Sequence, residues 1–181
     1  MSAVVVESSS LEEQATRPSR RAIAIWVFTS AVALIIVGLT AGAPLSQAYG
    51  YPALASTISK AFSFVCHQLP DRSFHFAGHQ FAVCSRCTGL YSGFAAAALV
   101  YPLARTLRHT DTPSRLWLIL AAVPLVSDFA LGYFSIWQNN HVSRFSTGAL
   151  LGAVTVFYVV PGMIDLARGG TRRIAGKNPP S

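Results

Sequence analysis

Charged residues, and acidic residues above all, are scarce in this sequence. Asp, Glu, Lys and Arg together make up 12% of the 181 residues, and only seven residues are acidic. An average soluble domain carries about 25% charged residues. This shortage, together with an apolar fraction of 52%, excludes an ordinary soluble domain and indicates an integral membrane protein.

Other features are missing as well, and each absence narrows the possibilities. The chain has only three cysteines, an odd number that argues against a framework in which every cysteine forms an intramolecular disulfide. It has no internal repeat of the kind that builds solenoids. Its basic residues are not interleaved with aromatic residues on one face, so the net charge of +7 indicates no nucleic-acid partner. The lipid bilayer is the partner that the composition predicts.

Long apolar runs carry the membrane prediction. As a helix, each run is about 30 Å long, which is enough to cross the hydrocarbon core of a bilayer. The first run is uncharged and longer than the roughly 7 to 15 apolar residues of a signal peptide, so we expect a retained span; cleavage near residues 41–43 is the alternative. The four spans are predicted at residues 22–43, 84–104, 116–136 and 145–167.

Lys and Arg predict the orientation of these spans. They are concentrated in the N-terminal tail, in the loop after the second span and in the C-terminal tail, which share one side of a four-span protein. Because cytoplasmic loops are enriched in Lys and Arg, we expect both termini in the cytoplasm and the long loop of residues 47–83 outside. The residues concerned are Arg17, Arg20, Arg21, Arg105, Arg108, Arg115, Arg168, Arg172, Arg173 and Lys177.

The chain is therefore predicted to be one membrane domain with two tails. Residues 1–20 are polar and are expected to be a disordered cytoplasmic tail, residues 21–168 form the membrane domain, and residues 169–181 form a second cytoplasmic tail. Within the outer loop, apolar residues at near-helical spacing predict an amphipathic helix from Tyr51 to Phe64. The predicted fold class is all-α: an integral membrane four-helix bundle with the outer loop folded onto the helix ends.

Small residues are placed to bring two of the spans together. The second span carries a GxxxG motif at Gly89 and Gly93, and the fourth carries another at Gly148 and Gly152. Such motifs let two helix backbones approach closely in a membrane. We interpret both as packing positions near the outer ends of their helices.

The outer loop and the start of the second span hold all the cysteines and three of the five histidines of the chain. Cys66, Cys84 and Cys87 can supply three sulfur ligands, and a histidine can complete the Cys₃His set that is typical of a tetrahedral zinc site. His67 is one candidate, but it directly follows Cys66, which makes ligation of one ion by both residues awkward. His75 is therefore a rival fourth ligand.

Two other interpretations of the cysteines stay open. Cys84 and Cys87 form a CxxC motif at a helix start, where the helix dipole and Arg86 stabilise a thiolate. A four-span bundle with such a pair has the parts of a membrane thiol oxidoreductase that passes electrons to quinone, although Cys66 alone stands where a second pair is usual. The remaining interpretation is structural, with a disulfide that staples the loop.

One carboxylate lies inside a predicted span. Asp128 is about 12 Å from the outer end of the third span, a depth at which a charge is costly unless it is paired or hydrated. Arg86 and Arg144 begin the second and fourth spans and are the available partners. We predict that these three residues form either an interhelical ion pair that fixes the bundle or a polar site with a role in a proton relay or an ion pathway, beside the cysteines.

Together these residues resemble a family of small bacterial multi-span membrane proteins of unknown function. The signature reads CHQxPxRSF from Cys66, CxRCTGxYxG from Cys84, then Asp128, Asn140 and RxxTGxxxG from Arg144, so the resemblance covers about residues 63–152. It implies a shared fold, a polar site at the outer face and a place in the bacterial inner membrane, but no reaction. The chain has Ala82 where the family often has proline, and Phe129 where it often has glycine.

The sequence supports three functional hypotheses and assigns no enzymatic reaction. The first is a metal-binding membrane protein, with zinc as the preferred ion and copper as the second choice. The second is a thiol–quinone redox protein in which Cys84 and Cys87 are the exchanging pair. The third is an accessory subunit that docks onto other subunits of a membrane complex through its GxxxG faces.

Overall fold

The computed structural model describes residues 19–107 and 111–175. Residues 1–18 of the tail predicted at 1–20 and residues 176–181 of the tail predicted at 169–181 lie outside these ranges, as do Arg17, Arg108 and Lys177 of the basic loops. The side chains of the C-terminal arginines also lie outside the described part. The orientation that these basic residues predict therefore stays a prediction.

Within residues 19–107 and 111–175, four helices are long and apolar enough to cross a membrane, and an all-α bundle with four spans is confirmed. Helix α1 spans Arg20–Ala48, α3 spans Ser85–Ala104, α4 spans Arg115–Tyr133 and α5 spans His141–Ala175. A shorter helix, α2 (Pro52–Ser63), follows α1 and occupies the segment in which the apolar spacing predicted a helix.

Some helices begin or end at other residues than the apolar runs suggest. α1 continues through Pro44 to Ala48, well past the predicted end. α5 begins at His141 because the Oδ1 atom of Asn140 accepts a hydrogen bond of 2.8 Å from the backbone N–H of Ser143, which caps the helix. Helix ends are set by such local hydrogen bonds, which hydropathy does not report.

The closest helix pair is α3 with α5, and the GxxxG glycines lie at their crossing. A Cβ atom on Gly89 would overlap the backbone carbonyl of Phe145, and one on Gly152 would overlap the carbonyl of Leu90. Gly93 and Gly148 are equally tight against the facing backbone. The packing interpretation of both motifs is confirmed, and the faces that would have served an accessory subunit are already used inside the chain.

Below this crossing, the bundle has an apolar core. Tyr101 of α3 and Val156 and Val160 of α5 are 0–1% exposed and belong to one cluster. Trp26 of α1 packs against the same cluster and donates its indole N–H to the backbone carbonyl of Ala98 at 2.7 Å. Helix α4 packs mainly on α5, and only its Ala121 is buried.

The segment between α2 and α3 contains a small β-hairpin that the sequence analysis did not predict. Strands β1 (Ser73–Phe76) and β2 (His79–Cys84) pair antiparallel. Ala77 and Gly78 connect them with positive φ angles of 50° and 80°, as in the tight turns of two-residue hairpins. Ala82 of β2 is buried beside Ala43 of α1 and Ile58 of α2, so the segment folds back onto the helix ends.

Candidate functional site

The three cysteines meet at the end of the bundle where the hairpin lies, which we call the cysteine end. The sulfur atoms of Cys66, Cys84 and Cys87 all lie within 4.8 Å of one another. A tetrahedral zinc ion with Zn–S bonds of 2.3 Å holds its sulfurs about 3.8 Å apart. The cluster therefore fits a shared ion after small side-chain adjustments, and all three residues are free thiols.

Each cysteine reaches the cluster from a different element. Cys66 follows α2, and its backbone N–H donates to the carbonyl of Phe62 at 3.0 Å. Cys84 is the last residue of β2 and directly precedes α3, and its N–H donates to the sulfur of Cys66 at 3.2 Å. Cys87 lies in the first turn of α3. The hairpin returns the chain from Cys66 to Cys84, which makes the convergence possible.

One of these thiols is readily ionised. Hydrogen bonds from the Cys66 thiol and then from the Cys87 thiol hold the pKa of the Cys84 thiol well below its ordinary value. A thiolate that accepts hydrogen bonds from its neighbours is stabilised relative to the neutral thiol. The thiolate is also the form that binds metals and attacks disulfides.

Gln68 holds the loop that carries Cys66. Its side-chain N–H₂ group donates to the carbonyls of Ser59 at 2.6 Å and of Ala82 at 2.8 Å. Its own backbone carbonyl accepts a hydrogen bond of 2.6 Å from the side chain of Gln80. The backbone of Gln68 adopts a φ of 52°, a conformation that is uncommon for residues other than glycine. Gln68 thus joins α2, the loop and β2 around the first cysteine.

A second group of polar contacts fixes the start of α3. The hydroxyl of Ser85, which is fully buried, donates to the carbonyl of Arg72 at 3.0 Å and contacts Nδ1 of His141 at 2.8 Å. Because a hydroxyl has a single hydrogen, it accepts from His141, so Nδ1 of that ring carries a proton. This contact ties the first residue of α3 to the first residue of α5.

The structure brings the three residues of the predicted polar site together beside the cysteines. Arg86 forms an ion pair with Asp128, whose side chains are 21% and 10% exposed respectively. Asn139 donates to the Asp128 carboxylate at 3.0 Å and accepts from Arg144 at 3.0 Å. Arg144 is therefore linked to the carboxylate through Asn139. The guanidinium of Arg86 also lies 5.7 Å from the centre of the Phe129 ring, a cation–π contact.

A cavity of about 510 Å³ opens above the thiols. Its lining combines the cysteines with positively charged side chains, and no acidic residue in the described part of the chain belongs to it. The polar lining residues are Cys66, Cys84, Cys87, His67, Gln68, Arg72, Arg86, Asn139 and Arg144. Val65, Leu69, Phe129 and Tyr133 add apolar surface, so the cavity presents both a charged and an apolar wall.

The two candidate histidines lie in different places relative to the thiols. Among the described residues, the group of potential ligand atoms within 4.8 Å contains only the cysteines. His67 lies in the cavity lining next to that group. His75 is exposed on β1, where it pairs with Gln80, and does not line the cavity. The hairpin thus carries His75 away from the thiols.

The sequence did not indicate the role of two amides of the site. Gln68 belongs to the CHQxPxRSF signature and Asn139 lies in a loop, but local pattern does not show that either side chain joins separate elements. Gly132 does carry a signal, because a Cβ atom there would overlap the Asn139 side chain. A glycine just before the end of α4 marks the position where that amide packs closely.

The comparisons with known proteins agree with a membrane protein. The family model described as "Predicted membrane protein (DUF2085)" matches residues 66–158, a range that begins at the first cysteine and includes the whole polar site. No solved structure matches the chain.

Two relatives come from archaea. An uncharacterized protein of Methanocaldococcus jannaschii is 36% identical over 100 residues, which are 55% of this chain and 64% of that protein. The chain thus spans slightly less than two thirds of this relative. An uncharacterized protein of Methanothermobacter thermautotrophicus is 39% identical over 93 residues, which are 50% of this chain and 80% of that protein. Because both organisms are archaea, a bacterial family is not confirmed.

Proposed function

The chain belongs to the family described as "Predicted membrane protein (DUF2085)", and on that premise we propose that it is a metal-binding membrane protein. Cys66, Cys84 and Cys87 are the protein ligands, and zinc is the preferred ion. The observation that carries the proposal is the approach of all three sulfurs to within 4.8 Å. Thiolates are common ligands of zinc, and they also select Cu(I), which makes copper the second choice.

The fourth coordination position decides what the ion does. A closed set of four protein ligands is typical of a structural zinc site, whereas three ligands and a water are typical of a catalytic one. His67 lies in the cavity lining beside the thiols and is the better-placed histidine, while His75 lies on β1 and does not line the cavity. We propose that the fourth position faces the cavity and is available to an exogenous ligand.

The site belongs, in this proposal, on the extracytoplasmic side of the cell's inner membrane. The Lys and Arg distribution supports cytoplasmic termini, and four spans put the cysteine end on the opposite side from both. A reporter fused after Ser181 tests the topology: one that is active only in the cytoplasm should be active, and a reporter that is active only outside should be silent.

Metal analysis tests the metal centre directly. Protein purified without chelator should contain about one zinc or copper ion per chain, the stoichiometry of one four-coordinate site. Cys66→Ser, Cys84→Ser and Cys87→Ser should each lose it, because a serine hydroxyl is a poor ligand for these ions. His75→Ala is the matched control and should keep the metal. Metal-free wild-type protein, or full occupancy in the cysteine variants, would contradict the proposal.

A thiol–quinone redox protein is the second candidate, and the low pKa of Cys84 favours it. Oxidation would join Cys84 to Cys87 in a disulfide, and the two electrons and two protons would pass to a quinone and form a quinol. Trapping a mixed disulfide on Cys84 in a Cys87→Ser variant would support this candidate. An unreactive Cys84 in metal-free protein would rule it out.

A further inference from the structure

We propose that the cavity above the cysteines binds a phosphate group, held by Arg72, Arg86 and Arg144. The inference deepens the proposed function, on which it rests in one respect: the phosphate lies beside the metal's open position. Its main support is independent of the metal and comes from the charges of the lining. Three arginines line the cavity, and one of them is paired with Asp128.

The charges do not balance without an anion. One carboxylate offsets one of the three arginines. A zinc ion with three thiolates would add one net negative charge, which still leaves one of the two remaining arginines without a counter-charge. Like charges that share a cavity repel one another, so an anion between them stabilises the arrangement.

The arginines also have hydrogen-bond donors to spare. The Nε atoms of Arg86 and Arg144 are buried and have no hydrogen-bond partner in the described part of the chain. A buried polar group without a partner is unfavourable. Guanidinium groups bind phosphate through pairs of parallel hydrogen bonds, and a phosphate has enough oxygens to accept from several arginines at once.

The size of the cavity indicates that the phosphate belongs to a larger molecule. Its volume of about 510 Å³ is within the roughly 300–1,000 Å³ of sites for small organic ligands and exceeds what an inorganic ion needs. Val65, Leu69 and Phe129 supply an apolar wall. A phosphate group with an apolar neighbour fits this lining, and a free phosphate compound or a lipid headgroup can provide it.

Phosphate titration of the protein in phosphatidylcholine nanodiscs, at constant ionic strength, tests the inference. Wild-type protein should bind inorganic phosphate and unfold at a higher temperature in its presence. Arg72→Gln and Arg144→Gln should bind it at least tenfold more weakly, since each loses one cationic donor. Arg115→Gln is the matched control, because Arg115 begins α4 at the other end of the bundle, and its Kd should equal that of wild type.

Repulsion between the cavity arginines predicts a second result that a folding defect would not produce. In chloride buffer without phosphate, Arg72→Gln should unfold at the same temperature as wild type or at a higher one. Only the stabilisation by phosphate should disappear. Equal phosphate affinity in Arg72→Gln and Arg115→Gln would overturn the inference.

A parallel experiment in nanodiscs that contain phosphatidylglycerol separates the two sources of the phosphate. If a headgroup occupies the cavity, wild-type protein should retain this lipid in mass spectra, Arg72→Gln should not, and added phosphate should no longer bind. If a free compound is the ligand, both nanodiscs should give the same phosphate Kd. Wild-type protein that neither binds phosphate nor retains the lipid refutes the inference.

Metal content, measured on the same samples, keeps the two proposals distinguishable. Phosphate binding without metal would refute the metal centre alone. Metal without any phosphate or lipid binding would refute the anion site alone.

Discussion

The two ends of this bundle are held together in different ways. At the end away from the hairpin, Tyr101, Val156 and Val160 pack in an apolar core. At the cysteine end, the side chains of Ser85, Gln68 and Asn139 each form a hydrogen bond to a different element of the fold. Lipid is as apolar as a leucine side chain, so close packing rather than the hydrophobic effect associates helices in a membrane. The apolar end stabilises the bundle, and the hydrogen bonds of the cysteine end position the side chains of the candidate site.

The largest effect we expect comes from forcing α3 and α5 apart, because both ends of the bundle depend on their crossing. Gly152→Ala puts a methyl group into the backbone of Leu90 and should destabilise the protein by about 3 kcal/mol or more. Both the apolar core and the contacts at the cysteine end should be disrupted. Gly162→Ala is the matched control in the same helix, because nothing lies within 4 Å of a Cβ atom there. Thermal unfolding in detergent measures both, and equal Tm values would contradict the tight crossing.

Breaking the ion pair should affect the cysteine end alone. Arg86→Met leaves Asp128 without its cation and should cost about 2 kcal/mol, a value reduced from that of fully buried pairs because both groups are partly exposed. The double variant Arg86→Met/Asp128→Leu should recover part of this loss, since no charge is then left unpaired. A double-mutant cycle by thermal unfolding checks it, and strictly additive losses would show that the pair is not coupled.

Gln68→Met separates positioning from stability. The substitution keeps the size of the side chain but removes two hydrogen bonds, and should cost about 2 kcal/mol. Zinc affinity should fall about tenfold or more, as it does when residues that orient metal ligands are lost. Val160→Ala, in the apolar core, should cost about 1 kcal/mol with unchanged zinc affinity. Competition with a chromogenic chelator measures the affinities, and similar values for both variants would remove the distinction between the ends.

The smallest expected effect has the opposite sign. Ala77 has a φ of 50° in the hairpin turn, which glycine adopts without steric cost. Ala77→Gly should therefore stabilise the protein by up to about 1 kcal/mol. Thermal unfolding should show a slightly higher Tm with unchanged metal content; a lower Tm would mean that the turn is not strained.

The sequence predicted the helices of this protein better than its site. Long apolar runs and the glycine motifs identified four spans and one crossing, because both are local patterns. The convergence of the cysteines and the nearness of Asp128 to Arg86 were also expected. The sequence did not indicate that the chain forms a hairpin between Ser73 and Cys84, since two short strands with polar residues have no clear alternation.

The same hairpin explains why the histidines could not be ranked. His67 and His75 are both near Cys66 in sequence, but only the fold puts His75 on an exposed strand and His67 against the cavity. Likewise, Asp128 had two arginine partners available. In the structure Arg86 pairs with the carboxylate directly, and Asn139 bridges the carboxylate to Arg144. An amide in a loop gives no sign of such a role in the sequence.

The glycine crossing has a consequence for engineering. Cys87 and Arg86 stand at most one turn from Gly89 on α3, and Arg144 stands about one turn from Gly148 on α5. Main-chain contacts at those glycines therefore fix the distance between the backbone of α3 at Arg86 and Cys87 and the backbone of α5 at Arg144. Grafting both helix segments together into another bundle should therefore transfer the distance between these backbone positions, whereas grafting either segment alone should not.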